Sequence, residues 1–158
     1  ELGTSPEQGS FALTVFFSIG IFMTYIGGLL GDKYGPIKII RLSLLIWLPS
    51  MFLLTQVPEF SVTIMMPLAY LILLMIGAAK AISYSPVIVL GQTYLAKSIG
   101  FASGITLGVS QTIGGIIAPV VGNLADTYSL PAAMMTLVPF LIVGLVASLL
   151  LKDPKKLQ

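Results

Sequence analysis

The sequence has no cysteine and no histidine in 158 residues, and only eight Lys or Arg and six Asp or Glu side chains. Without cysteine there is no disulfide framework and no thiol nucleophile; without histidine there is no imidazole base and no Cys/His zinc site. Most hydrolase chemistries therefore lose their usual residues, and neither a nucleophile–base pair nor a metal cluster is visible, so an enzyme is not expected. Charge is scarcer still, at 9% of residues against roughly 25% in an ordinary soluble domain. With 56% hydrophobic residues and a mean hydropathy of +1.02, the chain cannot cover a folded particle in water. Its solvent is lipid. A net charge of +2 and a pI near 8.9 would suggest nucleic acid in a soluble protein, but here the basic residues follow membrane topology and no nucleic-acid partner is expected.

What the sequence does have is long apolar runs. A membrane helix needs about 20 mostly apolar residues to cross hydrocarbon about 30 Å thick. Five such runs occur, over about 11–30, 39–56, 62–94, 99–125 and 131–151, and they predict an all-α, polytopic membrane helix bundle. The third would be about 50 Å long as one straight helix, so Pro67 and Pro86 are expected to kink it.

Positive charge alternates across these runs. Lys33, Lys38 and Arg41 follow the first, Lys97 follows the third, and Lys152, Lys155 and Lys156 follow the fifth, while the other connections hold Glu59 and Asp126, and Glu1 and Glu7 precede the first run. Basic residues mark short cytoplasmic loops, which places the N-terminus outside and the C-terminus in the cytoplasm. One miscounted helix would invert every later loop. The chain opens on ELGTSPEQGS, with neither Met nor a targeting signal, and reads as an interior loop of something longer.

The first basic loop reads Gly27-Gly28-Leu29-Leu30-Gly31-Asp32-Lys33-Tyr34-Gly35-Pro36-Ile37-Lys38. Gly28 and Gly31 let a neighbouring backbone approach, Gly35 can take a positive φ, Pro36 suits a first helical position, and Asp32 could accept hydrogen bonds from a helix N-terminus. The loop resembles the signature of the major facilitator superfamily of secondary transporters, matched at Gly28, Leu30, Gly31, Asp32, Lys33 and Gly35. Pro36 and Ile37 stand where that family usually has basic residues, and Lys38 and Arg41 supply the charge later, a departure that suits the weaker second copy of the loop. The resemblance implies that residues 1–158 are a partial C-terminal transmembrane domain, helices eight to twelve, five of the six in that half. It also implies that Asp32 and its loop latch the two halves, the N-terminal half being a missing partner. The run Gly91-Gln92-Thr93-Tyr94-Leu95, followed by Lys97-Ser98-Ile99-Gly100-Phe101-Ala102-Ser103-Gly104, is similar to the junction of helices ten and eleven in drug exporters of the fosmidomycin-resistance type.

Helical periodicity then picks out faces. At about 100° per residue, Gly104, Gly108, Gln111, Gly115, Ala118 and Gly122 fall on one line of the fourth span, and Gly20, Thr24, Gly27 and Gly31 on one line of the first. These small stripes suit close packing between halves that rock, and equally ordinary membrane-helix packing. The stretch from Gly114 to Gly122, with Pro119, loosely resembles the Gly-Pro motif of exporter helix five.

Lys80 is charged and lies near the middle of a span, on a face shared with Gly77, Tyr84, Val87 and Gly91. A charge inside the bilayer normally faces a cavity or a partner, and no carboxylate lies within any span to pair with it. Lys80, with Tyr84 and Gln111 as polar companions, is the candidate substrate contact for anionic groups; the alternative is a lysine that snorkels to a wet mouth.

The function implied by the resemblance is export of a small, drug-like solute, anionic if Lys80 meets it, by alternating access in a bacterial plasma (inner) membrane. No cofactor is implied. Proton antiport follows from the likeness to drug exporters, with the titrating acid in the absent helices. An importer or uniporter of the same fold is the first alternative, and a non-transporting membrane scaffold the second.

Overall fold

The computed structural model describes residues 6–56 and 62–151. Glu1, Glu59, the tail lysines Lys152, Lys155 and Lys156, and the side chain of Glu7 lie outside the described residues. The described chain is helical, in the order α1 (Pro6–Tyr34), α2 (Pro36–Gln56), α3 (Val62–Tyr94), a 3₁₀ turn (Ala96–Ser98), α4 (Ile99–Thr127), α5 (Leu130–Met135) and α6 (Val138–Leu150). Five segments are long and apolar enough to cross a membrane, with α5 and α6 together forming the last, Leu130–Leu150. The protein is an integral membrane protein with an all-α bundle.

Boundaries follow local chemistry. Gly35 has a φ of +96°, and its N–H donates to the Gly31 carbonyl at 2.9 Å, closing α1 with a left-handed residue. Pro36 opens α2 at once, since the missing N–H would have no partner there. Tyr34 to Pro36 is thus a complete hairpin.

The fifth expected span differs from a single helix. It breaks at Thr136 and Leu137, where Thr136 N–H reaches the Ala133 carbonyl at 3.2 Å and Leu137 N–H the Met134 carbonyl at 3.1 Å. Pro139 is the cause: it has no N–H to donate to the carbonyl four residues back, its ring crowds that carbonyl, and it is tolerated in the first turn of a new helix, where α6 begins. Ser129 caps α5, accepting from Ala132 N–H at 3.3 Å. By contrast α3 runs unbroken through both Pro67 and Pro86.

Two clusters hold α1, α2, α3, α5 and α6 together. Met51, Ala69, Ile72, Ile76 and Leu141 form a core shared by α2, α3 and α6, with Phe16 of α1 and Met134 of α5 packed on it. Ile37, Ile40 and Leu90 form a second near the basic end. Buried hydroxyls need no partner from another helix: Ser43, Ser50 and Thr55 each donate to a carbonyl three or four residues back, at 2.7–2.8 Å. Arg41 joins α2 to α6, its guanidinium donating to the Ser148 carbonyl at 3.1 and 2.8 Å, to Leu149 at 3.3 Å and to Leu151 at 3.5 Å. Those are the carbonyls a helix C-terminus leaves free, at the negative end of its dipole.

Helix α4 stands apart. It touches α3 and α5 but neither α1, α2 nor α6. Its anchorage on α3 is Gln92 Nε2 donating to Ser103 Oγ at 2.8 Å, and Gly91, which lies so close to Thr106 that a Cβ there would meet its hydroxyl at 2.6 Å.

Candidate functional site

The α1–α3 contact builds the site. Along α1, Gly20 faces Ala81, Gly27 faces the backbone of Ile82, Gly28 faces Ser85, and Gly31 faces the ring of Pro86. Gly77 of α3 returns the contact, with the Phe16 ring 2.9 Å from where its Cβ would be. Small residues are what let two helices meet this closely where lipid offers no hydrophobic drive.

Beside this seam the helices part into a groove of about 260 Å³, lined from α1 by Phe16, Phe17, Gly20, Ile21 and Thr24 and from α3 by Gly77, Lys80, Ala81 and Tyr84. Phe16 and Phe17 meet edge to face, centroids 5.6 Å apart. Lys80 Nζ lies 6.0 Å from the Phe16 centroid, the outer limit of a cation–π contact worth about 0.5–1 kcal/mol. Among the described residues Lys80 has no carboxylate partner, although a charge at such a position costs about 2.5–3.5 kcal/mol to insert. The aromatic contact offsets only part of that. The Thr24 hydroxyl donates to Gly20 at 2.8 Å, leaving its oxygen free to accept, and Tyr84 is exposed along the groove with its hydroxyl unpartnered among the described residues. The site is therefore an apolar, aromatic slot with one cation and two neutral hydroxyls.

Sequence spacing puts Lys80, Tyr84 and Gly77 on one face, and the structure places all three along the groove. Val87 is exposed and Gly91 turns to α4 instead. Gln111 is exposed on α4 and lies outside the groove. On that helix a methyl added to Gly104, Gly108, Gly115 or Gly122 would meet nothing within 4 Å, and Pro119 is exposed as well. Phe101, Gly104, Ile105, Gly108 and Thr112 line an open trough of about 480 Å³ there.

In the basic loop, Asp32 is exposed in the last turn of α1 with no partner among the described residues. It sits at a helix C-terminus, so no free N–H of its own helix faces it. Lys33 lies over the Tyr34 ring at 5.2 Å, and Lys38 is exposed. Arg41, grouped with this loop by its charge, instead binds α6.

The sequence profile of the Major Facilitator Superfamily matches residues 1–158. The chain belongs to the major facilitator superfamily. It is 32% identical over 151 residues to a Bacillus subtilis (strain 168) protein named "Uncharacterized MFS-type transporter YfnC", covering 96% of this chain and 35% of that relative. It thus spans about a third of the relative's length. No solved structure matches it significantly.

Periodicity within α3 cannot show which helix forms the other wall of the site in this superfamily member. Phe16 and Phe17 carry that wall, and their only signal in the sequence is position: Phe16 lies four residues before Gly20 and eight before Thr24, two members of the small stripe.

Proposed function

We propose that this chain is the C-terminal part of a secondary transporter, helices eight to twelve of twelve, which exports a small anionic, drug-like solute by alternating access around the α1–α3 groove. The observation that carries this reading is Lys80, an unpaired ammonium in an aromatic slot between two membrane helices. A flat organic anion satisfies both features, its carboxylate or phosphonate meeting Nζ and its apolar body lying against Phe16, Phe17 and Ile21. The family membership and the relative's name support transport; the site chemistry supports the anion.

The open face of α4 and the exposed Asp32 are the surfaces that the N-terminal half would meet as the two halves rock. The basic residues at one end of the bundle support a cytoplasmic C-terminus. Proton coupling, if it drives the cycle, uses an acid outside these five spans, because no Asp or Glu lies within the apolar runs of the sequence. A scaffold would have no use for an unpaired lysine in a groove.

The test is flux through the full-length protein in inside-out membrane vesicles, with radiolabelled benzoate and phenylphosphonate as probes. Lys80→Ala is expected to cut uptake of both about tenfold or more at sub-saturating concentration, the loss of one desolvated charge-assisted hydrogen bond, while Lys80→Arg keeps most of it. Equal flux in Lys80→Ala and parent would remove the anion site.

A further inference from the structure

Pro86 is fully buried in α3 and has no N–H. The helical hydrogen bond that residue 86 would donate runs to the carbonyl of Ile82, so that oxygen loses its partner within the helix. Freed carbonyls in membrane helices are met by neighbouring groups or by water. Here the neighbour is Gly27 of α1, itself buried: the Ile82 oxygen is the atom nearest to where a Gly27 Cβ would be, too close for any side chain, and the Ile82 carbonyl carbon and Cα lie 2.8 Å from that point. The approach leaves Gly27's Cα hydrogens as the group facing the oxygen, a Cα–H···O contact of the kind common between close helices. One residue on and one turn on, Gly28 receives Ser85 and Gly31 the Pro86 ring, both 3.2 Å from the corresponding Cβ positions. The segment from Ile82 to Pro86 is therefore seated on three glycines.

Lys80 and Tyr84 flank Ile82 at two residues either side and line the groove. The Lys80 carbonyl also accepts from Ser83 Oγ at 2.9 Å. We propose that the proline-freed carbonyl of Ile82, docked on Gly27, is the fulcrum that sets where Lys80 and Tyr84 stand in the groove, making Gly27 and Pro86 positioning residues for that site. The substrate side of this inference rests on the transport reading above; the docking itself does not. Its consequence is a mechanical link: the last turns of α1, from Gly27 to Gly31, bear on the α3 segment carrying the cation, so displacing one moves the other.

The experiment uses the full-length protein in native membranes, with Tyr84→Cys as reporter in an otherwise cysteine-free background and N-ethylmaleimide as probe. Gly27→Ala, which forces the Ile82 carbonyl away, is expected to change the labelling rate about threefold or more, a coupling typical of residues in contact. Adding Pro86→Ala supplies an N–H that draws the carbonyl back into the helix, and is expected to return the rate toward the reporter's own. An unchanged rate in Gly27→Ala, or no recovery in the double variant, overturns the proposal. If Gly27→Ala does not accumulate, recovery of accumulation on adding Pro86→Ala supports it. If neither accumulates, Pro86→Ala alone is read: a changed rate supports the fulcrum and an unchanged one overturns it. Labelling needs no substrate, so a failed flux experiment with Lys80→Ala leaves this result standing.

Discussion

Two helices of this chain carry glycine at close spacing, and the structure treats them in opposite ways. On α1, Gly20, Gly27, Gly28 and Gly31 are met by α3. On α4, Gly104, Gly108, Gly114, Gly115 and Gly122 meet nothing within 4 Å. The difference teaches that a stripe of small residues is a permission rather than a contact. It says that a backbone can come close, and the rest of the sequence decides whether one does. For α1 the decision comes from α3, whose own small residues Gly77 and Ala81 face the same seam and whose Pro86 fills the step at Gly31. For α4 no helix of the described chain supplies that complement, and the helix is held by α3 and α5 away from its glycine stripe.

The largest effect should come from closing the seam. Gly77→Leu drives a branched side chain into Phe16 and Ile19, and is expected to destabilise the bundle by about 3 kcal/mol, at the upper end for overpacking, read as a drop in thermal midpoint by fluorescence-detected size exclusion. Next comes the tether of the loose helix. Gln92→Ala removes the Ser103 hydrogen bond and should cost about 0.6 kcal/mol, as interhelical hydrogen bonds in membranes average. A Gln92/Ser103 double-mutant cycle isolates that coupling. Smallest on stability should be Gly108→Leu, within about 0.5 kcal/mol for a side chain that meets only open space. In the full-length protein the same substitution should abolish flux if, as proposed, an N-terminal half closes on that face. A thermal midpoint lowered as far by Gly108→Leu as by Gly77→Leu would erase the contrast between the two helices.

Much of the architecture is legible in the residues alone, because long hydrophobic runs are strong signals in lipid. The five spans, the positive φ at Gly35 and the helix start at Pro36 all follow from single-residue chemistry. The break at Thr136–Leu137 does not, since Pro139 lies inside an apolar run long enough to read as one helix. Periodicity puts Lys80, Tyr84 and Gly77 on one face; it carries no information about the facing helix, so it leaves Phe16 and Phe17 without a role. Arg41 shows the same gap. Its charge fits the topological pattern, which hides the fact that its guanidinium is taken up by carbonyls beginning 107 residues away.

That last distance bears on how the chain enters the bilayer. When α2 leaves the ribosome, Ser148, Leu149 and Leu151 have not been made, so the guanidinium of Arg41 has only water and lipid headgroups to bind. Hydrated, it keeps its end of α2 at the interface. When α6 arrives, the same side chain exchanges that hydration for peptide oxygens and becomes the closing latch of the assembled bundle. A lysine could serve the earlier stage, but it has a single nitrogen and so cannot hold the Ser148 carbonyl from two sides, as Nε and Nη2 of the planar fork do.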